Sequence, residues 1–402
     1  MSNPYSANAA ALGYIYQVRV ALSLLFKAVY DGNFTHELSI ERLDDVAFEQ
    51  GGSPQELIQT KHHIQAADLS DASADLWKTL RIWCEFEAAN PGSTVTLTLL
   101  TTAVAVQGTV VEALKLGATP NLVGLSTRLT TLAQTGRNVA LTKAYAAYLA
   151  LSASQQVSLL KRITVLDGTI PIQDVPGDIK RRYLPLTVQP RHIDDLYERL
   201  EGWWCGKAVE MLSTDPARPL TVSAATLQAK VVSLGQLYTE ANLPDDFPQQ
   251  LEMDEEMLGA HERVFVAQLK LVLNNNTRLR HAIGQYYRAY NQRTRWLDAG
   301  LIDDEELDRY ADYLVEEWTL EFLKMQDELG DLPDEALLKR LGLALFNWAN
   351  GFNWKPIRRN FQSSTYPRGS LHMLANSLKI GWHPQFQERL TALMVQAAEA
   401  AS

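Results

Sequence analysis

Asp45, Gln59 and Lys61 are the residues of this sequence whose types and spacing best suit chemistry on a phosphodiester. Gln59 and Lys61 belong to the run Leu57–Lys61, and alternate side chains of a strand share one face. Asp45 lies in an earlier segment, Glu41–Val46, across a glycine-rich turn. If the two segments pair as strands, a carboxylate, an amide oxygen and an ammonium group converge on one site.

This set of groups suits metal-assisted hydrolysis. Mg²⁺, or Mn²⁺ in its place, takes hard oxygen ligands and keeps several waters, so a substrate phosphate can complete its shell. The metal and a lysine together can activate water and stabilise developing negative charge. The alternative is an exposed hairpin that carries ordinary surface side chains, because the pattern D-x(n)-Q-x-K is short and degenerate.

The neighbouring polar residues have weaker claims. If the strand is regular, only one of Asp44 and Asp45 faces the site; Asp45 is the predicted residue and Asp44 the alternative. His63 shares the face of Lys61, but adjacent histidines, His62 and His63, cannot chelate one ion from a regular strand. His63 is therefore predicted at the polar rim of the site, near the substrate phosphate.

The elements that must position these residues follow from periodicity. Helical spacing covers Ala11–Tyr30 and Leu76–Ala89. Strands are predicted at Glu37–Val46, Glu56–His62 and Ser93–Thr102, the last a β-branched run too short for a confident helix. The order of helix, strands, helix and strand predicts an α/β (α+β) core.

Beyond about Val104 the strand signals fade, and the remainder predicts mainly helices. A length of 402 residues with 46% hydrophobic content predicts more than one folded domain. Breakers concentrate at Asn242–Gln249, the preferred boundary, and at Ser213–Pro219. The predicted domains are an α/β domain at 1–165 that carries the Asp45, Gln59 and Lys61 site, a helical connector at 166–244 and a helical C-terminal domain at 245–402.

The charge balance excludes a protein whose whole surface binds nucleic acid. The chain has 37 Lys and Arg against 47 Asp and Glu, a net charge of −10, so any such contact must be local. Cys84 and Cys205 lie beside tryptophans and are predicted to be buried, reduced thiols, which favours the cytoplasm. Neither a secretory signal nor a membrane span is predicted.

Four ordered blocks resemble the N-terminal nuclease domain of prokaryotic antiphage effectors, a branch of the PD-(D/E)XK superfamily. They are GYIYQ, IERLDDV, LIQTKHH and DLWKTLRIW, at Gly13–Gln17, Ile40–Val46, Leu57–His63 and Asp75–Trp83. Gln59 stands where the superfamily usually has a second acidic residue, as in the Mrr-like variants that use QxK. The resemblance implies a metal-dependent endonuclease with a PD-(D/E)XK core.

The same resemblance implies roles for the residues that match. Asp45 would be the principal metal ligand, Gln59 a contact to metal or water, and Lys61 the catalytic lysine. Glu41 and Gln17 match positions that often support such sites from neighbouring elements.

Two basic residues of the matching blocks, Arg42 and Lys78, are predicted to contact nucleic acid. A symmetric homo-oligomer is a further expectation, because relatives that cut both strands commonly act as dimers.

From about Asp245 to its end, the chain resembles the C-terminal domains of effectors from ABC-three-component systems, most specifically through RAYNQRTRW and GWHP. Such an effector is encoded with a small middle component and an ABC-type ATPase, which are the implied partners. The chain has no Walker-type GxxxxGK[ST] run, so any ATP sensing is expected from a partner.

Basic residues are in excess in His261–Arg295 and acidic residues in Asp298–Glu335. The arginines could form a phosphate-binding surface interleaved with tyrosines, or could pair with the acidic helix that follows. The arginines concerned are Arg278, Arg280, Arg288, Arg293 and Arg295.

The leading hypothesis is a metal-dependent endonuclease that acts on double-stranded DNA as the effector of an antiphage system. The rival is a non-catalytic adaptor that uses a nuclease-like fold to bind nucleic acid or to dock the ATPase. A third possibility is an RNA-directed nuclease, because the chemistry of the site does not distinguish the two sugars.

Overall fold

The computed structural model describes residues 8–215, 220–248 and 263–391, and the chain divides into two compact units, Met1–Gly235 and Gln236–Ser402. The first unit is mixed α/β and the second is mainly helical. The division falls inside the predicted connector, whose helices up to residue 235 belong to the first unit. The predicted boundaries after 165 and 244 stay predictions.

The first unit has helices and strands in mixed order. Its strands are β1 (Glu37–Ile40), β2 (Val46–Gln50), β3 (Ser53–Lys61), β4 (Asp68–Leu69), β5 (Thr96–Thr101), β6 (Val104–Ala105), β7 (Ile163–Leu166) and β8 (Val222–Ser223). Its helices are α1 (Asn8–Tyr30), α2 (Ala74–Ala89), α3 (Val110–Ala113), α4 (Leu122–Thr135), α5 (Thr142–Leu149), α6 (Ala153–Arg162), α7 (Val175–Tyr183), α8 (Ile193–Ser213) and α9 (Ala224–Gly235).

Six strands form one sheet in the order β7-β5-β3-β2-β1-β8. Strands β3, β5 and β7 run parallel, whereas β2, β1 and β8 pair antiparallel with their neighbours. The end of β3 is therefore covered on both sides, by β5, where Lys61 aligns with Thr101, and by the loop that leads into β2. A central strand end of this kind is a rigid support for side chains.

The predicted single strand Glu37–Val46 is wrong in one respect. Strand β1 ends at Ile40, which pairs with Val46, and a loop of residues 41–45 joins the two strands. The loop closes through the Glu41 N–H, which donates to the Asp45 carbonyl at 3.1 Å, and Glu41 adopts a positive φ of 55°. Aspartate and asparagine favour such turns, because their side chains form hydrogen bonds to nearby backbone groups.

Strand β7 lies beyond Val104, in the part of the chain for which the sequence predicts mainly helices. Ile163–Leu166 is four residues long and follows helix α6 directly, so the change from helical to strand periodicity is too short to detect. Its pairing with β5 from Leu97 to Leu100 decides its conformation. This is tertiary structure overriding local pattern.

One face of helix α1, from Tyr16 to Ala28, is buried in the core of the first unit. Ala11–Tyr30 is long and apolar enough, by length and composition alone, to cross a membrane, but Leu22 and Leu25 are fully buried within the unit. The Trp204 indole also donates to the Val18 carbonyl at 2.7 Å. A buried core helix accounts for this composition.

The two thiols differ in environment. Cys84 is buried, and burial raises the pKa of its thiol to about 12. Cys205, which was predicted to be buried, is exposed on α8, so that part of the prediction is wrong. Its position on a long amphipathic helix, one residue beyond the buried Trp204, turns it to the other side.

The second unit is built from helices around one aromatic-rich core, in which Trp296, Phe265 and Ile380 are fully buried. Its described helices are α10 (Val264–Val272), α11 (Asn276–Asp298), α12 (Asp304–Asp327), α13 (Glu335–Gly351) and α14 (Thr365–Asn376).

Two of the arginines on α11 are held by neutral groups of the same unit. Arg278 donates to the Asn347 side chain, and Arg288 donates to the main-chain carbonyls of Phe247 and Pro248. Neither of these contacts involves the acidic helix.

Gly369 allows helices α11 and α14 to approach closely. A Cβ atom at Gly369 would lie 2.2 Å from the Gln285 carbonyl oxygen and 2.5 Å from the Ala289 Cβ. Both partners belong to a rigid helix and cannot move aside cheaply, so the position requires glycine.

We expect Gly369→Ala to lower the free energy of unfolding of the chain by about 1–3 kcal/mol through overpacking. Gly351→Ala, at the end of α13 with no atom within 4 Å of the new Cβ, is the matched control and should be neutral or slightly stabilising. Urea unfolding followed by circular dichroism measures both. Equal midpoints for the two variants would contradict the close approach.

Candidate active site

The loop 41–45 and the end of β3 meet because of the strand register. Val46 aligns with Ile58 in the antiparallel β2–β3 pair. Residues that precede Val46 therefore lie over the residues that follow Ile58, which are Gln59, Thr60 and Lys61. The structure thus brings together Asp45, Gln59 and Lys61, as the strand-pairing hypothesis expects.

The Asp45 carboxylate accepts hydrogen bonds from neighbouring side chains and from the main chain of β3. Its Oδ2 accepts from the Thr60 N–H at 2.8 Å and from the Thr60 hydroxyl at 3.2 Å. Its Oδ1 accepts from Gln59 Nε2 at 3.0 Å. Because one of these donors is main chain, the position of the carboxylate is fixed by the sheet itself.

Gln59 is the central connector of the cluster and is only 3% exposed. Its Nε2 donates to both Asp44 and Asp45, and its Oε1 accepts from Lys61 Nζ at 2.8 Å. The assignment of amide nitrogen and oxygen follows this hydrogen-bond network. With the nitrogen between two carboxylates and the oxygen on the ammonium group, every polar atom of the side chain has a charged partner.

Lys61 and Asp45 form the accessible edge of the cluster. Lys61 Nζ lies 3.7 Å from Asp45 Oδ2, and the two side chains are 21% and 20% exposed. Gln59 and Asp44 lie behind them and are almost completely buried. A substrate that approached this site would meet Asp45 and Lys61 first.

Asp44 supports the cluster from the interior. Its Oδ2 accepts from the Trp83 indole at 2.9 Å, and its Oδ1 accepts from the Asp45 N–H at 3.0 Å and from Gln59. Both Asp44 and Asp45 therefore contact Gln59, because they lie in a loop where strand alternation does not apply. Asp45 is the exposed member and Asp44 the buried one.

Glu41 and Gln17 extend the site from the loop and from α1. Gln17 Nε2 donates to Glu41 Oε1 at 3.1 Å and to the Asp45 main-chain carbonyl. Gln17 is 4% exposed, so a buried amide of α1 ties the first and last residues of the loop together. The structure places both predicted supporting residues beside Asp45.

Negative charge is in excess here, with three carboxylates around one lysine. Desolvation is the largest effect that raises the pKa of Glu41; the Gln17 hydrogen bond opposes it, and the charges of Asp45 and Asp44 add to it. Burial also raises the pKa of Asp44, against the hydrogen bonds from Gln59 and Trp83. A raised carboxyl pKa means that the ionised form is disfavoured by its surroundings, which is common at functional sites.

His63 lies in a separate pair beside the cluster. Its Nε2 is 2.7 Å from Asp75 Oδ2, and its main-chain N–H donates to the Thr102 hydroxyl at 2.8 Å. His62 contacts the Tyr16 ring, at 4.7 Å between centroids, and its pKa is lowered by desolvation and by His63. The prediction that Lys61 and His63 share a face assumes that the strand continues to His63. Strand β3 ends at Lys61, so strand alternation does not extend to His63.

The two residues predicted to contact nucleic acid lie outside this network. Arg42 pairs with Glu49, a fully buried carboxylate that also accepts from the Ser39 hydroxyl at 2.9 Å. The Arg42 guanidinium therefore neutralises the buried charge of Glu49 in the sheet. Lys78 is exposed on α2.

Thr60 and Trp83 contribute to the site but were not singled out in the sequence. Alternation in a regular strand turns the Thr60 side chain to the opposite face from Gln59, yet both its main-chain N–H and its hydroxyl donate to Asp45. Trp83 is 0% exposed and sits on α2, far from Asp44 in sequence. The sequence signal for a role of Trp83 was its position at the end of the matching block DLWKTLRIW.

The donor set fits a hard divalent cation held mainly by solvent and substrate. Among the described residues, no three carboxylate, imidazole or thiol groups are grouped so that they could hold a metal by themselves. Mg²⁺ commonly binds through one or two carboxylates and keeps its waters. The partly exposed Asp45 and the adjacent Glu41 provide such carboxylates, and the excess of carboxylates around Lys61 favours a cation.

Comparison with known proteins gives information on the second unit. Residues 265–390 match the family model for C-terminal domain 7 of the ABC-three component (ABC-3C) systems. This confirms the resemblance predicted for the C-terminal part of the chain, over less than half of its length. No curated protein matches the chain. The nuclease resemblance of the first unit lies outside the matched residues and stays a prediction.

Glu41→Gln tests the charge excess through the pH dependence of stability. A raised pKa means that the folded chain binds this proton more tightly than the unfolded chain does. The stabilisation from this proton is fully present below the ordinary pKa of glutamate, about 4.3, and is lost as the pH rises through the raised pKa. The free energy of unfolding of Glu41→Gln, relative to wild type, should therefore increase from about pH 4 to about pH 7.

Urea unfolding at several pH values measures this difference, with Glu198→Gln on the exposed side of α8 as the matched control. A difference between Glu41→Gln and wild type that is the same at every pH would contradict the charge excess.

Proposed function

We propose that the first unit is a metal-dependent endonuclease, acting on double-stranded DNA, and that the chain is the effector of an antiphage defence system. The observation that supports this most is the contact of Asp45, Gln59 and Lys61 at the end of β3. These are the residues to which the PD-(D/E)XK resemblance assigns the site. The exposed edge of the cluster holds a carboxylate and an ammonium group within 3.7 Å.

In this proposal Asp45, with Glu41 beside it, binds Mg²⁺ or Mn²⁺. The bound metal would lower the pKa of a coordinated water and neutralise charge on the scissile phosphate. Lys61 holds the attacking water or a phosphate oxygen with its three N–H donors. Thr60 keeps the Asp45 carboxylate in place through its main-chain N–H.

The Gln59 amide links the metal site to the lysine. Its nitrogen now faces two carboxylates and its oxygen faces Lys61. A cation at Asp45 would repel that nitrogen and attract the oxygen, so rotation of the amide by half a turn would supply an oxygen ligand. The same rotation would release Lys61 from Gln59 and leave the ammonium group free for the substrate.

The second unit connects this activity to a larger system. Its match to C-terminal domain 7 of the ABC-three component systems associates the chain with those systems, which implies a role in antiphage defence. An ABC-type ATPase and a small middle component are the partners that the association suggests. We propose a cytoplasmic location and control of the nuclease by the ATPase.

Asp45→Ala and Lys61→Met test the activity. Wild-type chain should nick or linearise supercoiled plasmid with Mg²⁺ or Mn²⁺ and should stop when EDTA is added. Each variant should be slower by about a hundredfold or more, as for loss of one charge-stabilising group, while its circular dichroism spectrum and melting temperature stay those of a folded chain. Lys143→Ala, an exposed lysine on α5, is the matched control and should cut normally.

The assay is run with and without the ABC-type ATPase, and with an RNA substrate in parallel. Cutting of RNA alone would replace DNA with RNA as the substrate. Wild-type rates in both Asp45→Ala and Lys61→Met would contradict the site. No metal-dependent cutting under any of these conditions would favour a non-catalytic adaptor that binds nucleic acid or the ATPase.

A further inference from the structure

The second unit contains an open cavity of about 940 Å³ between the end of α13 and the start of α14. Its walls come from residues 351–356, 359, 361–364, 367 and 368. All of these residues lie within the described part of the second unit and within the family match. The volume is within the range of cavities that hold cofactor-sized ligands.

Three cationic side chains line this cavity, Lys355, Arg359 and Arg368, and none of its lining residues is acidic. In a chain with a net charge of −10, such a local concentration of positive charge is notable. The adjacent Arg358 is different, because it forms a two-pronged pair with Glu306 at 2.8 Å for both contacts. The cavity therefore presents cations that are available to an anion.

The N-terminus of α14 adds to this positive potential. Ser364 is its N-cap, and its side chain makes no capping hydrogen bond. Ser363, Ser364, Pro367 and Arg368 all line the cavity, so the start of this twelve-residue helix forms part of its wall. The helix dipole favours a bound anion at this end, although Pro367, the third residue of the helix, supplies no N–H group.

Arg368 lies in the first turn of α14 and lines the same cavity. Its side chain is partly exposed, and its buried Nε atom has no acceptor among the described protein groups. Because that Nε atom has almost no accessible surface, a ligand in the cavity would contact the outer nitrogen atoms of the guanidinium group instead. A phosphate oxygen is the kind of acceptor that matches a guanidinium group, often through two parallel hydrogen bonds.

Aromatic rings form another part of the wall. The Phe352 ring packs 4.7 Å from the Trp354 ring, and both residues line the cavity. The indole N–H of Trp354 is satisfied by the Ala349 carbonyl at 2.9 Å. The partly exposed Phe352 ring is thus an apolar surface on which a planar group can stack.

We propose that this cavity binds a polyphosphate-bearing ligand of nucleotide size. Arg359, Arg368 and the start of α14 hold its phosphates, and Phe352 contacts its planar group. Lys355, whose Nζ lies 5.3 Å from the Tyr313 ring centre, stands at the rim and adds charge. This site is separate from the proposed nuclease site and does not depend on it.

Isothermal titration calorimetry of the full chain tests the proposal, with ATP, tripolyphosphate and adenosine at constant ionic strength. We expect ATP to bind and adenosine alone to bind at least tenfold more weakly. Tripolyphosphate should bind more weakly than ATP, and equally tight binding would overturn the contact between Phe352 and the planar group. Affinity should fall as salt rises, as for contacts between charged groups.

Arg359→Gln and Arg368→Gln should each weaken ATP binding by about tenfold or more, the effect of losing roughly 1.4 kcal/mol of binding free energy. Arg359 is exposed, so its replacement should leave the fold intact. Arg340→Gln removes the same charge from an exposed position on α13 outside the cavity and should bind as wild type does. Absence of binding by ATP and tripolyphosphate, or equal loss in Arg340→Gln, would overturn the proposal.

Discussion

The candidate site depends on one hydrogen bond, from the main-chain N–H of Thr60 to the Asp45 carboxylate at 2.8 Å. It ties the loop before β2 to the end of β3, so the sheet itself fixes where the carboxylate lies. The neighbours of Thr60 in β3, Gln59 and Lys61, then meet the same carboxylate from either side. The pairing of β2 with β3, and of β3 with β5, keeps the end of β3 rigid beneath the loop 41–45.

The charge arrangement gives that geometry a chemical meaning. Glu41, Asp44 and Asp45 crowd around one lysine, and the pKa values of Glu41 and Asp44 are raised mainly by their burial. Carboxylates whose ionised form is disfavoured reduce stability at neutral pH, and proteins accept such strain chiefly where function requires it. A divalent cation is the simplest partner that would relieve it. The buried Trp83 and Gln17 hold the cluster together without adding charge.

Much of the first unit could be predicted from the sequence because its long elements have clear periodicity. Helices α1 and α2 and strand β5 lie close to their predicted ranges, and the mixed α/β class of the first unit and the helical class of the second are confirmed. The loop 41–45 could not be predicted, because five residues between two short strands carry no periodic signal. Strand β7 was missed because its conformation is set by pairing with β5. The roles of Thr60 and Trp83 depend on contacts between residues distant in sequence, and a single sequence does not show these.

The central proposal is that Asp45 and its neighbours bind a divalent metal, and localised cleavage tests it most directly. Fe²⁺ that replaces Mg²⁺ generates hydroxyl radicals in the presence of ascorbate and peroxide, and these cut the polypeptide near the metal. The account predicts cuts near Asp45 and Gln59 that excess Mg²⁺ suppresses and that Asp45→Ala lacks. Cuts only elsewhere in the chain, or cuts that neither Mg²⁺ nor Asp45→Ala changes, would contradict it.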